Sequence, residues 1–105
     1  MSFPEITVDE LTRRLERGAV LVDVRQPNEF AEAHVPGAQL IPLNELPDRM
    51  GDVPKADEVL VICRSGGRSA MACEFLEEQG INAVNVVGGT LAWIEAGLAV
   101  DTSAS

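Results

Sequence analysis

The chain contains few of the residues that form metal sites or disulfide frameworks. Among its 105 residues there are only two cysteines, Cys63 and Cys73, and one histidine, His34. The cysteines do not form a Cys-x-x-Cys pair, and a single histidine does not complete a zinc-binding pattern, so we expect no metal. A structural disulfide is not expected in a reducing compartment.

Long apolar runs and positive charge are also scarce. No apolar segment approaches the roughly 20 residues of a membrane span, and residues 1–5 lack the basic and apolar regions of a signal peptide. We therefore expect a cytoplasmic protein without a membrane partner. Eight basic residues against 17 acidic ones give a net charge of −9, which would repel nucleic acid. The length predicts one domain over 1–105, with an ordered core from about 4 to 99 and a loose C-terminal tail.

The most informative segment is residues 58–69, with the sequence EVLVICRSGGRS. Its apolar run, Val59 to Ile62, is typical of a strand that is buried on both faces of a parallel sheet. The run ends at Cys63, a short loop with two glycines follows, and a helical pattern begins at about Ser69. The carboxyl end of a buried strand, just before a helix, is where α/β proteins place ligand chemistry.

This loop is predicted to favour Cys63 as a thiolate. Gly66 and Gly67 let successive backbone amides approach the sulfur, and the following helix N-terminus adds partial positive charge. Arg64 and Arg68 add two full charges. We expect these groups to lower the pKa of Cys63 below about 8.5. The alternative interpretation is a buried structural cysteine beside a simple glycine turn, and the two arginines and two glycines argue against it.

Strand and helix patterns alternate along the rest of the chain. This alternation predicts a parallel sheet with helices on both faces. Cys73 falls on the apolar stripe of the helix after Ser69 and is expected to be inert, and His34 lies in a Pro-Gly turn, where a structural hydrogen bond is expected. Predicted strands cover 19–24, 39–43, 59–62 and 81–87, and the residues that begin or cap the predicted helices are Thr7, Pro27, Asn44, Ser69 and Thr90.

Four spaced motifs resemble those of the rhodanese-like sulfurtransferases. They are Cys63 to Ser69, Asp23-Val24-Arg25 with Glu29-Phe30, His34 to Ala38, and Gly88-Gly89 with Trp93. Together the motifs extend over most of the chain, from about residue 6 to residue 97. The resemblance implies the rhodanese-like fold, an α/β fold with a mostly parallel sheet of about five strands and helices on both faces.

The resemblance also implies sulfur transfer through Cys63. The thiolate would take the outer sulfur of a donor such as thiosulfate, hold it as a persulfide and pass it to cyanide or a thiol, without a metal or an organic cofactor. The expected partners are a small anionic sulfur donor and a thiol or protein acceptor. Asp23 and Arg25 would support the loop, and a purely structural ion pair is the favoured role for them. The implied substrate-binding residues are Arg64, Ser65, Gly66, Gly67, Arg68 and Ser69.

Two other functions stay open from the sequence. Related folds use a cysteine-and-arginine loop in phosphatases and arsenate reductases, with five residues between the two. Here four residues separate Cys63 from Arg68, a loop that suits a single sulfur atom better than a phosphate. Other domains of this fold are binding modules without turnover, and many of them lack the cysteine that this chain carries.

Overall fold

The sheet has five short strands, all paired in parallel, in the order β1-β5-β4-β2-β3. The computed structural model describes residues 3–103. The α/β class, the parallel sheet and the five strands agree with what the resemblance implies, but the first strand, at residues 5–6, is not among the four that the sequence patterns predict. The strands are Glu5–Ile6 (β1), Val20–Asp23 (β2), Gln39–Leu40 (β3), Val59–Ile62 (β4) and Ala83–Val86 (β5). The helices are Val8–Glu16 (α1), Pro27–Glu32 (α2), Gly67–Glu78 (α3) and Gly89–Glu95 (α4), with a 3-10 segment over Leu43–Asp52.

Strand β4 lies at the centre of the sheet and is buried on both faces, as its unbroken apolar run predicts. Val59, Val61 and Cys63 belong to the apolar cluster that α3 and the 3-10 segment cover. Leu60 and Ile62 belong to the second cluster, on the face that α1 and α4 cover. Because side chains alternate along a strand, β4 is fixed by both cores, and so is the start of the loop that follows it.

Two of the predicted helix starts are wrong because glycines form the caps. Helix α3 begins at Gly67 with Gly66 as its cap, two residues before the predicted start. Helix α4 begins at Gly89 with Gly88 as its cap, so Thr90 does not cap it. Both caps have left-handed backbone angles, which glycine adopts without the penalty of a Cβ atom. These turns are shaped by the close approach of two loops.

The segment after β3 also differs from the prediction. It is a 3-10 helix that follows Pro42, and no side-chain cap is bonded to its first turn. Asn44, predicted as the cap, instead accepts a hydrogen bond from Gln26 Nε2 at 3.2 Å. The side chain thereby links this segment to the residue that precedes α2.

The C-terminal segment is bonded to the domain as far as residue 103, although the sequence predicts a loose tail. The amides of His34 and Asp101 donate to each other's carbonyl oxygens, both at 2.9 Å, and Ser103 N donates to Ala31 O at 3.1 Å. His34 Nδ1 lies 2.7 Å from Phe30 O, which is the kind of structural hydrogen bond predicted for this histidine. The last two residues of the predicted tail, 104 and 105, lie outside the described residues.

Within residues 3–103, no helix combines the length and the apolar character needed to cross a membrane.

Candidate active site

Hydrogen-bond donors surround the sulfur of Cys63, directly after β4. The residue is 1% exposed. Gly66 N donates to Cys63 Sγ at 3.0 Å, and the Ser69 hydroxyl oxygen lies 3.3 Å from the same sulfur. Gly66 has a φ of +117°, a left-handed angle that turns the chain from the loop into α3. The structure thus brings together Cys63, Gly66 and Ser69, three of the predicted site residues.

Burial and hydrogen bonding change the pKa of Cys63 in opposite directions. Burial, the largest single cause, disfavours the thiolate and would raise the pKa. Hydrogen bonds from the Ser69 hydroxyl and from the amides of Ser69, Gly66 and Ser65 favour the thiolate. Together they outweigh burial and lower the pKa of Cys63 below that of an ordinary thiol. The direction agrees with the prediction, and the loop's own donors are its main physical cause.

Arg68 is held by a carboxylate and does not point at an open anion site. Its Nη1 and Nη2 donate to Glu29 Oε1 and Oε2 at 2.7 and 2.8 Å, a two-pronged geometry. The Arg68 guanidinium is the main reason that the pKa of Glu29 falls to about 2. Glu29 is also the main cause of the raised pKa of Arg68, ahead of a smaller contribution from the Cys63 sulfur. Glu29 therefore balances the charge of Arg68, one of the two positive charges that the sequence assigned to the sulfur.

Two open cavities flank the loop and differ in charge. Arg64 is exposed, forms no ion pair with any other residue between 3 and 103, and lines a cavity of about 200 Å³ whose other charged residues are Arg25, Glu29 and Glu32. On the other side, Ser65 and Gly66 line a cavity of about 550 Å³ that also contains the side chains of two glutamates, Glu5 and Glu74. Of the two predicted arginines, Arg64 is thus the one open to a small anion.

The second glycine turn, Gly88-Gly89, is followed by residues that bond to the carbonyl oxygens of Cys63 and Arg64. Thr90 N donates to Cys63 O at 2.9 Å, and Leu91 N donates to Arg64 O at 3.1 Å. The Thr90 hydroxyl adds a second hydrogen bond to Cys63 O, at 3.0 Å. A Cβ atom on Gly89 would lie 2.5 Å from both carbonyl oxygens. Only a glycine lets the chain approach this closely, so the turn fixes the base of the loop.

Asp23 and Arg25 form a buried ion pair at the end of β2. Arg25 Nη2 donates to Asp23 Oδ2 at 2.7 Å, and Arg25 Nε donates to Asp23 Oδ1 at 2.9 Å. Arg25 Nη2 also donates to Ala33 O at 2.8 Å. The pair therefore ties the end of β2 to the residue after α2, in agreement with a structural role.

Asn85, a buried amide on β5 that adjoins the loop, is not among the predicted site residues. It is 2% exposed, and its Oδ1 lies 2.5 Å from the Ser69 hydroxyl oxygen. Its Nδ2 donates to Glu5 Oε2 at 3.1 Å and to Gly66 O at 3.3 Å. One signal could have revealed it, namely a single polar residue inside the apolar strand Ala83–Val86.

Cys73 lies one helical turn after Ser69 on α3 and takes no part in this network. It is fully buried, and burial raises its pKa to about 12, with smaller contributions from the charges of Glu77 and Glu5. Within the described part of the chain, no three metal-ligating side chains cluster in a way that could hold an ion.

Comparison with known proteins identifies relatives over almost the whole chain. The rhodanese-like domain family matches residues 7–96. A sulfurtransferase of Allochromatium vinosum is 40% identical over 99 residues, which cover 91% of this chain and 92% of that protein. Thiosulfate sulfurtransferase GlpE of Haemophilus influenzae is 36% identical over 110 residues, which cover 98% of this chain and 99% of that protein.

Solved structures give the same result. A rhodanese-like domain protein of Staphylococcus aureus aligns with a TM-score of 0.84 and 39% identity, covering 95% of this chain and 100% of that one. A rhodanese-related protein of Thermoplasma volcanium aligns with a TM-score of 0.88 and 33% identity, covering 94% of this chain and 98% of that one.

Proposed function

The chain belongs to the rhodanese-like family, and from this premise we propose that it is a sulfurtransferase that carries sulfur as a persulfide on Cys63. The observation that supports this most is the group of hydrogen-bond donors around one buried sulfur, with Gly66 N at 3.0 Å and the Ser69 hydroxyl oxygen at 3.3 Å. Relatives of nearly equal length are named for sulfur transfer. The donor proposed is a small anionic sulfur compound such as thiosulfate.

The proposed reaction has two steps and consumes no outside oxidant or reductant. The Cys63 thiolate attacks the outer sulfur of thiosulfate, a sulfur–sulfur bond forms, and sulfite leaves with the electron pair of the broken bond. The enzyme is then a persulfide anion. In the second step cyanide or a thiolate attacks the terminal sulfur, and thiocyanate or a new persulfide leaves while the Cys63 thiolate is restored.

The loop geometry suits both anionic states. Amides at the start of α3 have no partner in the preceding helical turn, so they are available to a negative charge. A hydrogen bond to a charged group contributes about 1.5–3 kcal/mol, so two or three such bonds offset the cost of burying a thiolate. Arg64, exposed beside the loop, is proposed to attract the anionic donor. Arg68 is proposed to act on substrate less directly, because Glu29 occupies its terminal nitrogens.

The two alternatives receive no support from the geometry. A phosphatase loop needs an arginine directed at the phosphate, whereas Arg68 is paired with Glu29 at 2.7 Å. A binding module would not need a thiol whose pKa is lowered by surrounding donors, as that of Cys63 is.

Steady-state kinetics with thiosulfate and cyanide test the proposal. Because the first product leaves before the second substrate reacts, double-reciprocal plots at several cyanide concentrations should be parallel. An aryl phosphate should give no turnover under the same conditions. Hydrolysis of the phosphate without sulfur transfer would replace this proposal with the phosphatase, and a folded protein that does neither would favour the binding module.

A further inference from the structure

The Ser69 hydroxyl has one proton and three possible acceptors. Its oxygen lies 2.5 Å from Asn85 Oδ1, 3.2 Å from Gly66 O and 3.3 Å from Cys63 Sγ. A hydroxyl donates only one hydrogen bond at a time. The direction of that single proton therefore decides whether Ser69 stabilises an anionic sulfur.

The Gly66 carbonyl is the weakest competitor for this proton. It already accepts hydrogen bonds from Ala70 N at 3.1 Å and from Asn85 Nδ2 at 3.3 Å. A carbonyl oxygen has two lone pairs, and these two donors occupy both. The proton of Ser69 is therefore shared between Asn85 and Cys63.

The orientation of the Asn85 amide is determined by its other neighbours. Glu5 Oε2 and Gly66 O are both acceptors, so the group that faces them must be the NH₂. The carbonyl oxygen of Asn85 consequently faces Ser69. Two oxygen atoms at 2.5 Å require a proton between them, so in this arrangement Ser69 donates to Asn85 and offers only lone pairs to the sulfur.

This orientation of the Ser69 hydroxyl fits a neutral thiol better than a thiolate, although Gly66 N still donates to the sulfur. A thiol can donate its own proton to the Ser69 oxygen, whereas a thiolate would face a lone pair until the hydroxyl turns. We propose that Asn85 is a positioning residue that competes with the Cys63 sulfur for the single proton of Ser69. The hydroxyl donates to Asn85 while Cys63 is a thiol and turns to the sulfur when the sulfur becomes anionic.

This competition would moderate the stability of the thiolate and thereby preserve its reactivity. Removing the Asn85 side chain leaves the Ser69 proton to the sulfur and to the Gly66 carbonyl. An anionic sulfur is the stronger acceptor of the two, so the thiolate becomes more stable. A thiolate of lower pKa is also a weaker nucleophile. Loss of Asn85 should therefore lower the pKa of Cys63 and slow the reaction of its fully ionised form, whereas a general loosening of the loop would raise the pKa.

Other charged or titratable groups surround the site. They are Glu5 on β1, which bonds to Asn85; Asp23 and Arg25 at the end of β2; Arg68 on α3, paired with Glu29 on α2; Arg64 in the loop; and the Cys73 thiol on α3. Substitution of Asn85 changes none of their formal charges.

The test is a pH titration of Cys63 by the ultraviolet absorbance of its thiolate. The chain has no tyrosine, so no phenolate overlaps this signal, and Cys73 titrates only near a pKa of about 12. Asn85→Leu should lower the pKa of Cys63 by roughly half to one pH unit. Its alkylation rate at a pH where Cys63 is fully ionised should fall about two- to threefold. Asn85→Ala removes the same acceptor and should shift the pKa in the same direction if the leucine variant does not fold.

A double-mutant cycle with Ser69 shows whether Asn85 acts through the hydroxyl. Ser69→Ala alone should raise the pKa of Cys63 by about one unit, and adding Asn85→Leu to it should cause no further change. Asn82→Leu is the matched control, because Asn82 is exposed and bonds to Asp57 O outside the site, and it should leave the pKa unchanged.

A higher pKa in Asn85→Leu, or an equal shift in the presence and absence of the Ser69 hydroxyl, would overturn the inference. This inference rests on the proposed function, because it takes Cys63 as the reactive thiol. The titration needs no turnover, so its outcome is separate from that of the kinetic test. Absence of sulfur transfer in the unaltered protein would count against the function, while a wrong sign in the variant would count against the role of Asn85.

Discussion

The two cysteines of this chain are equally buried and have opposite properties. Cys63 is 1% exposed and Cys73 is 0% exposed, and both belong to the same apolar cluster. The pKa of Cys63 is nevertheless lowered, whereas that of Cys73 is raised to about 12. Burial acts in the same direction on both thiols, so the difference comes from the groups that surround each sulfur.

Their positions in the backbone explain this difference. Cys73 lies inside α3, where the amides nearby already bond to carbonyl oxygens one turn earlier. Cys63 precedes the same helix, and the amides of Gly66 and Ser69 at its start have no such partners. Helix α3 thus offers free amides at its N-terminus to the Cys63 sulfur, whereas the amides around the Cys73 sulfur are already bonded within the helix.

The largest expected effect comes from substituting each cysteine in turn. Cys63→Ser should abolish sulfur transfer from thiosulfate, because a serine hydroxyl is not ionised at neutral pH and cannot take up sulfane sulfur. Cys73→Ala should keep most of the activity and lose about 1 kcal/mol in the free energy of unfolding. Steady-state assays and urea unfolding measure both. An inactive but folded Cys73→Ala would mean that turnover needs a second thiol.

The next test concerns the second glycine turn, Gly88-Gly89, which supports the backbone at Cys63 and not at Cys73. Gly89→Ala places a Cβ 2.5 Å from the carbonyl oxygens of Cys63 and Arg64, at a φ of +58°. Overpacking of this kind costs about 1–3 kcal/mol, and the loop must shift, so kcat/KM should fall about 100-fold. Gly51→Ala is the control, because nothing lies within 4 Å of its added Cβ. Equal activity in both variants would show that the turn does not position the loop.

The predictable part of the site is its contiguous part. The strand, Cys63 and the glycine loop follow one another in the sequence, so the apolar run and the glycines predict where they lie. Asn85 follows Ser69 by 16 positions, and only the pairing of β4 with β5 brings it to the loop. Local patterns carry no information on such a neighbour.

The pairing of Arg68 with Glu29 could not be predicted for the same reason. Arg68 and Glu29 are separated by 39 positions, so the sequence predicted a free positive charge where the structure has an ion pair. The helix caps at Asn44 and Thr90 were wrong because tertiary contacts determine those turns. In both regions the side chain that local rules assign to the helix cap is hydrogen-bonded to a neighbouring segment instead.

Alkylation compares the two sulfurs directly. At pH 7, iodoacetamide should label the native protein once, at Cys63, and label it twice in denaturant. Since the pKa of Cys63 is lowered, its labelling rate should stay high as the pH falls below about 8.5, where a free thiol slows. Mass spectrometry of peptides at several pH values measures this. Labelling of native Cys73 at a comparable rate would contradict the difference between the two thiols.

The smallest effects concern the arginines. Arg64→Ala should raise the KM for thiosulfate about three- to tenfold, because Arg64 is the open positive charge beside the loop. Arg68→Gln leaves the Glu29 carboxylate unpaired near the site, so it should also raise the KM. Adding Glu29→Gln, so that both charges of the pair are gone, should return the KM most of the way to that of the unaltered protein. If the double variant binds the donor no better than Arg68→Gln, Arg68 contacts the donor itself.

The central claim is that one of the two buried thiols carries sulfur, and mass measurement tests it most directly. After excess thiosulfate is added and removed, the intact protein should gain one sulfur, about 32 Da, through the covalent step at the nucleophile. Peptide mapping should locate that mass on Cys63 and none on Cys73, and cyanide should remove it. A protein that gains no sulfur, or gains it on Cys73, would contradict the account.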